Sequence, residues 1–213
     1  MSRRVACSGQ LLQSAQHALQ LVHAGEMARN ALSAVHQQHV LHFRHLERLY
    51  EAAYLRAFSA WEDFVEGSFL RYLCGYRNSS GAITLRQGTY QKTLQAAFGV
   101  VAGGRSYMLW HDASKVVQRA RVHFVNSPHE TVIASHLSAL TEYGRVRHRI
   151  AHAHQQDARA NFDLATRALV GRTLHGSRAG SFLREFVRGN VPPCRWIERI
   201  LSDLGQLAVQ VEA

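Results

Sequence analysis

The stretch Leu46-Glu-Arg-Leu-Tyr-Glu-Ala-Ala-Tyr-Leu-Arg-Ala-Phe-Ser-Ala-Trp-Glu-Asp-Phe-Val65 repeats apolar side chains every three to four residues. This spacing places them on one face of a helix, and that face can pack against other helices. A similar pattern begins at Leu11 and leads into this stretch, with Gly25 as the expected break. The sequence therefore predicts one helix before Gly25 and a long second helix over about residues 27–69.

Capping residues and glycines divide the remaining chain into further helices. Glycine and serine over residues 75–88 predict a loop, Asp112 can cap a helix, and Ser127-Pro128-His129-Glu130 is a capping box with proline at the first helical position. We expect the helix that begins at Pro128 to run on to about residue 150. Because strand-like alternation is scarce, the sequence predicts an all-α fold, an antiparallel bundle of helices. Further helices are expected over about 90–98, from 112 to 124, around 162–169 before a loop at 171–180, and after Pro192-Pro193.

The composition favours a nucleic-acid partner. The 213 residues carry a formal net charge of +10 and include 46% hydrophobic residues, which is typical of a globular protein. Excess positive charge attracts polyanions, although general surface solubility is the alternative explanation. The N-terminus lacks the apolar core of a signal peptide, and no apolar run approaches the roughly 18 residues of a membrane span. The chain has only three cysteines, Cys7, Cys74 and Cys194, and they lack metal-ligand spacing. So few cysteines fit a reducing compartment, and we therefore expect a cytoplasmic protein.

Arginines and histidines cluster in the segment Arg145-Val-Arg-His-Arg-Ile-Ala-His-Ala-His154. Histidine can exchange a proton near neutral pH, and arginine can grip a phosphate with its guanidinium group. Arg147 and His152, separated by four residues, therefore supply the two groups that RNA cleavage without a metal requires. The candidate catalytic residues are Arg147, His152 and His148, and the candidate supporting or RNA-binding residues are Glu62, Arg145, Arg149 and His154.

Arg147 falls near the centre of the apolar stripe when the helix is extended from Ile133 at about 100° per residue. A charge on that face needs a partner, and Glu62 is the expected one. A purely structural ion pair is the alternative role for Arg147. His152 lies about 140° further around an ideal helix, so one helix face cannot present both side chains. A flexible arginine, a helix end near His152, or a second copy of the motif from a partner subunit would bring them together.

Other histidines and the tryptophans invite alternative interpretations. His148 and His152 form a His-x-x-x-His pair that can bind zinc, but the sequence offers no third ligand nearby, so we expect no cofactor. Four histidines recur every three residues. A spacing of three residues does not stay on one face of a helix, so we expect these side chains at solvated helix positions. These are His36, His39, His42 and His45. The three tryptophans, expected in the core, are Trp61, Trp110 and Trp196.

The segment Thr141-Glu-Tyr-Gly-Arg-Val-Arg-His-Arg-Ile-Ala-His-Ala-His154 resembles the signature of the HEPN superfamily, an arginine, a polar residue, three further residues and a histidine. The usual polar residue is asparagine, and His148 stands at that place in this chain. The resemblance covers about residue 50 to the C-terminus. The other segments that carry it are residues 53–66 with the element Trp61-Glu62-Asp63-Phe64, then Tyr107-Met-Leu-Trp-His-Asp112, residues 119–124, Ser127-Pro128, Phe162 and Gly180-Ser-Phe-Leu183.

The resemblance implies a HEPN-type helical bundle over residues 46–213, with a helical extension over residues 1–45 packed on the bundle or continuous with it. It also implies a homodimer in which two motifs face one cleft. The implied activity is that of a toxin or antiviral-defence ribonuclease that cleaves RNA without a metal. His152 would take the proton from the ribose 2′-hydroxyl, and Arg147 would hold the phosphate. His148, or His152 of the partner subunit, would protonate the leaving oxygen.

Two further functions stay open at the level of sequence. A non-catalytic HEPN module would use the same arginines and histidines to bind RNA, a partner protein or a second subunit. A toxin component would be silent until an antitoxin or a sensor protein releases it, and the N-terminal extension is where such a partner is expected to dock. Some HEPN toxins carry a modified tyrosine two residues after the motif histidine, and His154 occupies that place here.

Overall fold

The structure is a computed structural model that describes residues 3–37, 39–172, 174 and 178–213. Over these residues the chain forms nine helices and, apart from isolated bridges, no β-strand, which confirms the all-α prediction. None of the described helices combines the length and apolar character needed to cross a bilayer. The helices are α1 (Ser8–Ala34), α2 (Phe43–Leu73), α3 (Leu94–Ala102), α4 (Ala113–His123), α5 (Pro128–Ser135), α6 (Leu137–Ala151), α7 (Gln156–Val170), α8 (Ala179–Arg184) and α9 (Trp196–Glu212).

The chain divides into two compact units, and each combines segments that are distant in sequence. Unit 1 comprises Met1–Leu11, Ala60–Thr141 and Leu204–Ala213, and unit 2 comprises Leu12–Ser59 and Glu142–Asp203. The predicted boundary between residues 45 and 46 separates an extension from a HEPN-like domain. The two compact units do not follow a single cut along the chain, so this boundary stays a prediction.

Helix α1 continues through Gly25, so the break predicted there is wrong. A Cβ atom at Gly25 would lie 2.5 Å from Leu49 Cδ2 and 3.0 Å from Leu46 Cδ1, both on α2. The missing side chain therefore lets two helices of unit 2 approach closely. This packing compensates for the low helix propensity of glycine, which costs about 1 kcal/mol in a helix interior.

Helix α1 ends instead at a turn around His36, which has φ +58°. The His36 N–H donates to the Ser33 carbonyl (3.2 Å), and the Gln37 N–H donates to the Leu32 carbonyl (2.8 Å). These two bonds form a Schellman motif, which ends a helix with a residue in the left-handed conformation. The long helix expected from residue 27 onward is therefore divided here, and α2 starts afresh at Phe43.

This division changes the setting of the four regularly spaced histidines. All four side chains are exposed, as predicted, but three lie in the connection between α1 and α2 rather than on a helix. The three in the connection are His36, His39 and His42, and the one on α2 is His45. The three tryptophans are buried, which confirms that prediction.

Two helix starts in unit 1 form as the sequence predicts. Asp112 accepts a hydrogen bond from the Ser114 N–H at the start of α4 (3.1 Å), and Ser127 accepts one from the Glu130 N–H at the start of α5 (3.2 Å). The Glu130 carboxylate pairs with Arg121 at 3.0 Å, and within the described residues it accepts no bond from the Ser127 N–H, so only the serine half of the predicted capping box forms. These local signals act within a few residues, which is why they are readable without knowledge of the tertiary fold.

The other predicted elements agree with the structure to within a few residues, and one helix was not predicted. The helix expected over 90–98 is α3, the helix before residue 171 is α7, and the helix after the two prolines is α9. Helix α8 is the addition. The loop predicted over 171–180 lies partly outside the described residues, at 173 and 175–177.

Helices α5 and α6 are separate, although the sequence predicts one continuous helix. The Ser135 hydroxyl donates to the Val132 carbonyl (2.8 Å), and His136 Nδ1 lies 3.0 Å from the same oxygen. Both side chains compete with the backbone for this acceptor, and His136 leaves the helical conformation with ψ 16°. Angular positions near residue 150 therefore cannot be counted from Ile133.

The core of unit 1 is aromatic and encloses His129. The Phe69 ring packs against Trp110, Phe124 and His129, with centroid distances of 5.4, 5.0 and 5.1 Å. His129 is fully buried, and its Nε2 lies 2.9 Å from Ser68 Oγ. Burial lowers the pKa of His129 to about 3, because no solvent stabilises the charged ring. The neutral imidazole thus serves as a core aromatic.

Acidification should destabilise unit 1 through His129. Its pKa is about 3 in the folded protein and near 6.5 in the unfolded chain, so below pH 6.5 protons bind preferentially to the unfolded chain. The stability that His129 contributes is fully present above pH 6.5 and is lost as the pH falls towards 3. We expect His129→Gln to reduce the loss of unfolding free energy between pH 6.5 and 4.5 by about 1.4 kcal/mol per pH unit, measured by urea unfolding. An unchanged pH dependence in this variant, with His17→Gln as the exposed control, would contradict the assignment.

The core of unit 2 contains an ion cluster around Glu26. The Tyr50 hydroxyl donates to Glu26 (2.9 Å), the Arg184 Nε donates to it (2.6 Å), and Arg195 lies 3.4 Å away. Burial by itself raises the pKa of Glu26, but the hydrogen bonds from Arg184 and Tyr50 outweigh burial and leave the pKa below its ordinary value. The carboxylate therefore stays charged, and it connects α1, α2 and α8 within the unit.

Two positions of the HEPN resemblance also meet in unit 2. Phe162 on α7 contacts Phe182 on α8 edge to face, at a centroid distance of 5.9 Å, and Phe182 stacks on Trp196 at 5.3 Å. Gly180 is buried, and its N–H donates to Glu51 Oε1 on α2 (2.9 Å). The segment around Gly180 therefore joins three other helices of the unit.

Candidate functional site

The arginines and histidines singled out in the sequence lie on the last turns of α6 and in the turn to α7, within unit 2. Helix α6 ends at Ala151, and α7 begins at Gln156. The His152 N–H donates to the His148 carbonyl (2.9 Å), and the Gln155 N–H donates to the His152 carbonyl (3.0 Å). A helix end near His152, one of the three arrangements expected to bring this residue to Arg147, is present. The His152 N–H still makes the regular helical bond to His148, so His152 keeps the helical position one turn beyond His148, and its approach to Arg147 stays a prediction.

The imidazole rings of His148 and His152 are in contact. Their centroids are 4.7 Å apart and their planes are inclined by 47°. His152 is exposed, while the His148 side chain retains 30% of its accessible surface. Each imidazole can act as a proton donor or as a proton acceptor, so the pair places two acid–base groups at one point of the surface.

Asp157 faces the buried side of His148. It lies in the first turn of α7, and its Oδ2 is 3.5 Å from His148 Nε2. This nitrogen is buried and makes no hydrogen bond within the part of the chain that the structure describes. A separation of 3.5 Å is slightly beyond a hydrogen bond, so a small movement would let the carboxylate orient the ring. Asp157 was not among the predicted site residues, although an acidic residue in the first turn of the helix after the motif is a signal visible in the sequence.

Arg145 and Arg149 brace the end of α6. Arg145 Nη1 donates to both oxygens of buried Glu142, at 2.8 and 2.9 Å. Arg149 donates to the carbonyl of Ala153, beyond the helix end. Both guanidinium groups therefore stabilise the local structure through these hydrogen bonds, whether or not they also bind an anion. The spacing of Glu142 and Arg145 is readable from the sequence, whereas the contact of Arg149 depends on where the helix ends.

Arg147 is half-buried, and Tyr143 and Val146 form the buried side of this part of α6. Arg147 therefore lies at the edge of the buried face of α6 and not at its centre, where the sequence predicts it. The Tyr143 hydroxyl donates to Asp203 Oδ2 (2.6 Å), which fixes the rotation of α6 within the unit. Burial raises the pKa of Tyr143 above its ordinary value, so this hydroxyl keeps its proton.

The remaining predicted residues are Glu62 and His154. Glu62 lies on α2 in unit 1, with Oε2 3.7 Å from His111 Nδ1. The Arg147–Glu62 pair stays a prediction, because its two members belong to different units. His154 is exposed in the turn between α6 and α7. The structure thus brings His148 and His152 together and leaves His154 as a nearby surface residue.

Unit 2 has a strongly basic composition and is rich in arginine. It contains 15 arginines and no lysine, against nine aspartates and glutamates. Arginine is the cation that best matches phosphate geometry, because its planar guanidinium donates two parallel hydrogen bonds. Within the described residues, no group of three or more His, Cys, Asp or Glu is arranged to hold a metal ion.

Comparison of the chain with known protein families, with curated proteins and with solved structures finds no match. Functional inference therefore rests on the α6–α7 site and on the sequence motifs that resemble HEPN proteins. Both lines involve His148 and His152, and the structure adds to them the position of Asp157.

Proposed function

We propose that this protein is a metal-independent endoribonuclease of the HEPN type. The observation that carries the proposal is the contact of two imidazoles, His148 and His152, whose ring centroids are 4.7 Å apart. Arg147 and Arg149 lie on the same last turns of α6. Proton transfer at two oxygens and charge stabilisation at a phosphate are what RNA transesterification requires. The basic surplus of unit 2 supports an anionic substrate of extended length.

The reaction proceeds by attack of a ribose 2′-oxygen on the adjacent phosphorus. Neutral His152, the exposed ring, removes the 2′-hydroxyl proton as the new O2′–P bond forms. The P–O5′ bond breaks, and protonated His148 gives its proton to the leaving 5′-oxygen. Arg147 holds the phosphate and stabilises the charge that builds on its free oxygens. The products are a 2′,3′-cyclic phosphate and a 5′-hydroxyl, and no redox partner is consumed.

Asp157 acts in this scheme as a positioning residue. Its carboxylate lies 3.5 Å from the buried His148 Nε2 and directs that ring. The opposite ring edge is then available to the leaving oxygen. Orientation of an imidazole by a carboxylate fixes which nitrogen carries the proton, and this is a recurring device in acid–base catalysis.

The proposal includes the assembly that HEPN proteins use. The chain would form an antiparallel HEPN bundle and a homodimer in which two motifs line one cleft. An antitoxin or sensor protein would restrain the enzyme in a toxin or defence system, and the helical extension over residues 1–45 is the proposed contact. A cytoplasmic location belongs to the same proposal.

A non-catalytic RNA-binding module is the second candidate, and one observation favours it. Arg145 and Arg149 are engaged with Glu142 and with the Ala153 carbonyl, so the arginine cluster has structural partners in its own unit. In this alternative the exposed histidines and arginines bind RNA without cleaving it. The two candidates differ in one measurable property, the appearance of new RNA ends.

The test is an RNA cleavage assay with purified full-length protein in EDTA. We expect cleavage of 5′-labelled tRNA and mRNA, with products carrying 2′,3′-cyclic phosphate and 5′-hydroxyl ends, identified by phosphatase and kinase treatment. The matched control is the same RNA with 2′-O-methyl groups throughout, which lacks the nucleophile and must remain intact.

Each alternative result has a defined meaning. Cleavage of the 2′-O-methyl RNA, or a requirement for divalent ions, would overturn the transesterification mechanism. Intact RNA that is nevertheless retained by the protein in a gel shift would favour the binding module. Co-expression with the neighbouring genes would then test whether the enzyme awaits a partner.

A further inference from the structure

Unit 1 contains a second basic site that is separate from the motif residues. A cleft of about 680 Å³ is lined by residues from three chain segments. The cationic residues that line it are Arg3, Arg77 and Lys92. Tyr76, Ile83 and Leu94 add apolar and aromatic surface to the same cleft. A volume of this size fits one ligand of about the bulk of a mononucleotide.

Backbone pairing brings the three segments together. The Arg77 N–H donates to the Arg3 carbonyl (2.9 Å), and the Val5 N–H donates to the Arg77 carbonyl (2.8 Å), so the N-terminal segment lies along residues 76–78. The Gln91 N–H donates to the Leu73 carbonyl (2.9 Å), which places the start of α3 beside the same turn. Main-chain hydrogen bonds therefore fix the backbone at the three cationic residues. The cleft is built by the backbone and does not depend on side-chain positions alone.

Among the residues that the structure describes, the three cations of this cleft have no carboxylate partner. In the part of the chain that the structure describes, no carboxylate lines the cleft and none of the three forms an ion pair. Arg3 donates to the Tyr76 hydroxyl (3.2 Å), and Arg77 donates to the Gly81 carbonyl (2.7 Å), so both guanidinium groups are held in place by neutral acceptors. The Glu212 carboxylate, also in unit 1, binds the start of α1: it accepts hydrogen bonds from the Ser8 N–H (2.9 Å) and hydroxyl (2.5 Å). Three like charges around one cavity attract an anion of matching charge.

We propose that this cleft binds the phosphate chain of a nucleoside polyphosphate. Three cations in one small volume match a ligand that carries several negative charges close together, and guanidinium groups suit phosphate oxygens. An extended phosphodiester strand spreads its charges further apart and matches the cleft less well. The Tyr76 ring and the apolar side chains of Ile83 and Leu94 contact the nucleoside. This site is independent of the proposed ribonuclease activity, and it gives the protein a second ligand.

The experiment compares two charge reversals of equal size in the full-length protein. Lys92 lines the cleft, and Arg105 is an exposed cation of unit 1 outside it. We expect ATP and inorganic pyrophosphate to bind in calorimetric titrations, with affinity reduced about tenfold or more by Lys92→Glu and changed less than about twofold by Arg105→Glu. A 2′-O-methyl hexauridylate without a 5′-phosphate serves as the phosphodiester probe, and it should bind both variants equally.

A second readout uses the cysteine in the cleft wall. Cys74 lines the cleft and is half-buried, whereas Cys194 in unit 2 is an internal reference of similar exposure. Bound ATP should slow alkylation of Cys74 by iodoacetamide, measured by mass spectrometry, without slowing that of Cys194. Equal losses of affinity in both charge-reversal variants, protection of both cysteines, the absence of ATP binding, or an effect of Lys92→Glu on the hexauridylate alone would overturn the proposal.

Discussion

Replacement of His152 by alanine should lower the rate of RNA cleavage by about 10²- to 10⁴-fold, because the attacking 2′-hydroxyl loses its general base. His152 is exposed at the end of α6, so its removal creates no cavity and should leave the unfolding free energy within about 0.5 kcal/mol of wild type. The measurement is a single-turnover rate on labelled RNA in EDTA, accompanied by a thermal unfolding curve. Loss of cleavage without loss of folding stability would show that His152 takes part in the cleavage reaction.

The control for this variant is His17→Ala, since His17 is also exposed and also belongs to unit 2 but lies on α1. It should cleave at the wild-type rate. The same control addresses a contaminating nuclease, because all three proteins are equally basic and pass through the same purification. Wild-type activity in His152→Ala would refute the proposed role, and equal losses in both variants would point to an effect on the fold.

Replacement of Gly180 by alanine should destabilise the protein by about 3 kcal/mol or more. A Cβ atom at this position would overlap the carbonyl oxygen of Glu47 on α2 and lie 2.6 Å from the carbonyl carbon. Because both are backbone atoms of a helix, they cannot rotate away, and α8 would have to shift. The shift would also break the hydrogen bond from the Gly180 N–H to Glu51. Urea unfolding of the variant and wild type gives the difference directly.

Gly99→Ala is the matched control for Gly180→Ala. Gly99 lies within α3, and no heavy atom is within 4 Å of the place a Cβ would take. Alanine there should stabilise the protein by up to about 1 kcal/mol, since its helix propensity is higher. If both variants shifted the unfolding midpoint alike, the close contact of α8 with α2 would not be the cause.

Gly180 also gives a physical account of one feature of the HEPN resemblance. The Gly-x-x-Leu element at residues 180–183 places glycine where the chain contacts the Glu47 backbone and leucine where the side chain is fully buried. Phe162, another position of the resemblance, packs against Phe182 of the same segment. These contacts explain why such residues suit this fold, and they do so without assuming any catalytic role.

Much of the helical architecture follows from signals that act over a few residues. Asp112 and Ser127 cap helices through hydrogen bonds to N–H groups two or three residues away, so the sequence alone predicts these starts. The apolar spacing of residues 46–65 likewise predicts a packed helix. Gly25 and His136 show where local reasoning fails. Gly25 stays helical because α2 packs against it, and His136 interrupts a helix because neighbouring side chains take the Val132 carbonyl.

The sequence by itself determined the residue types of the candidate site. Arg147, His148 and His152 lie close together along the chain, and the chemistry of imidazole and guanidinium groups can be recognised without knowledge of the fold. The contact of His148 with His152 follows from their spacing of four residues, which places both rings on one helix face. Only the tertiary structure decided what lies beside this pair, because the start of α7 brought Asp157 to the buried nitrogen of His148. The cleft of unit 1 depends on pairing between Arg3 and Arg77, 74 positions apart, which no local pattern encodes. Helix capping is a short-range interaction, whereas a site built from distant segments exists only once long-range packing has been formed.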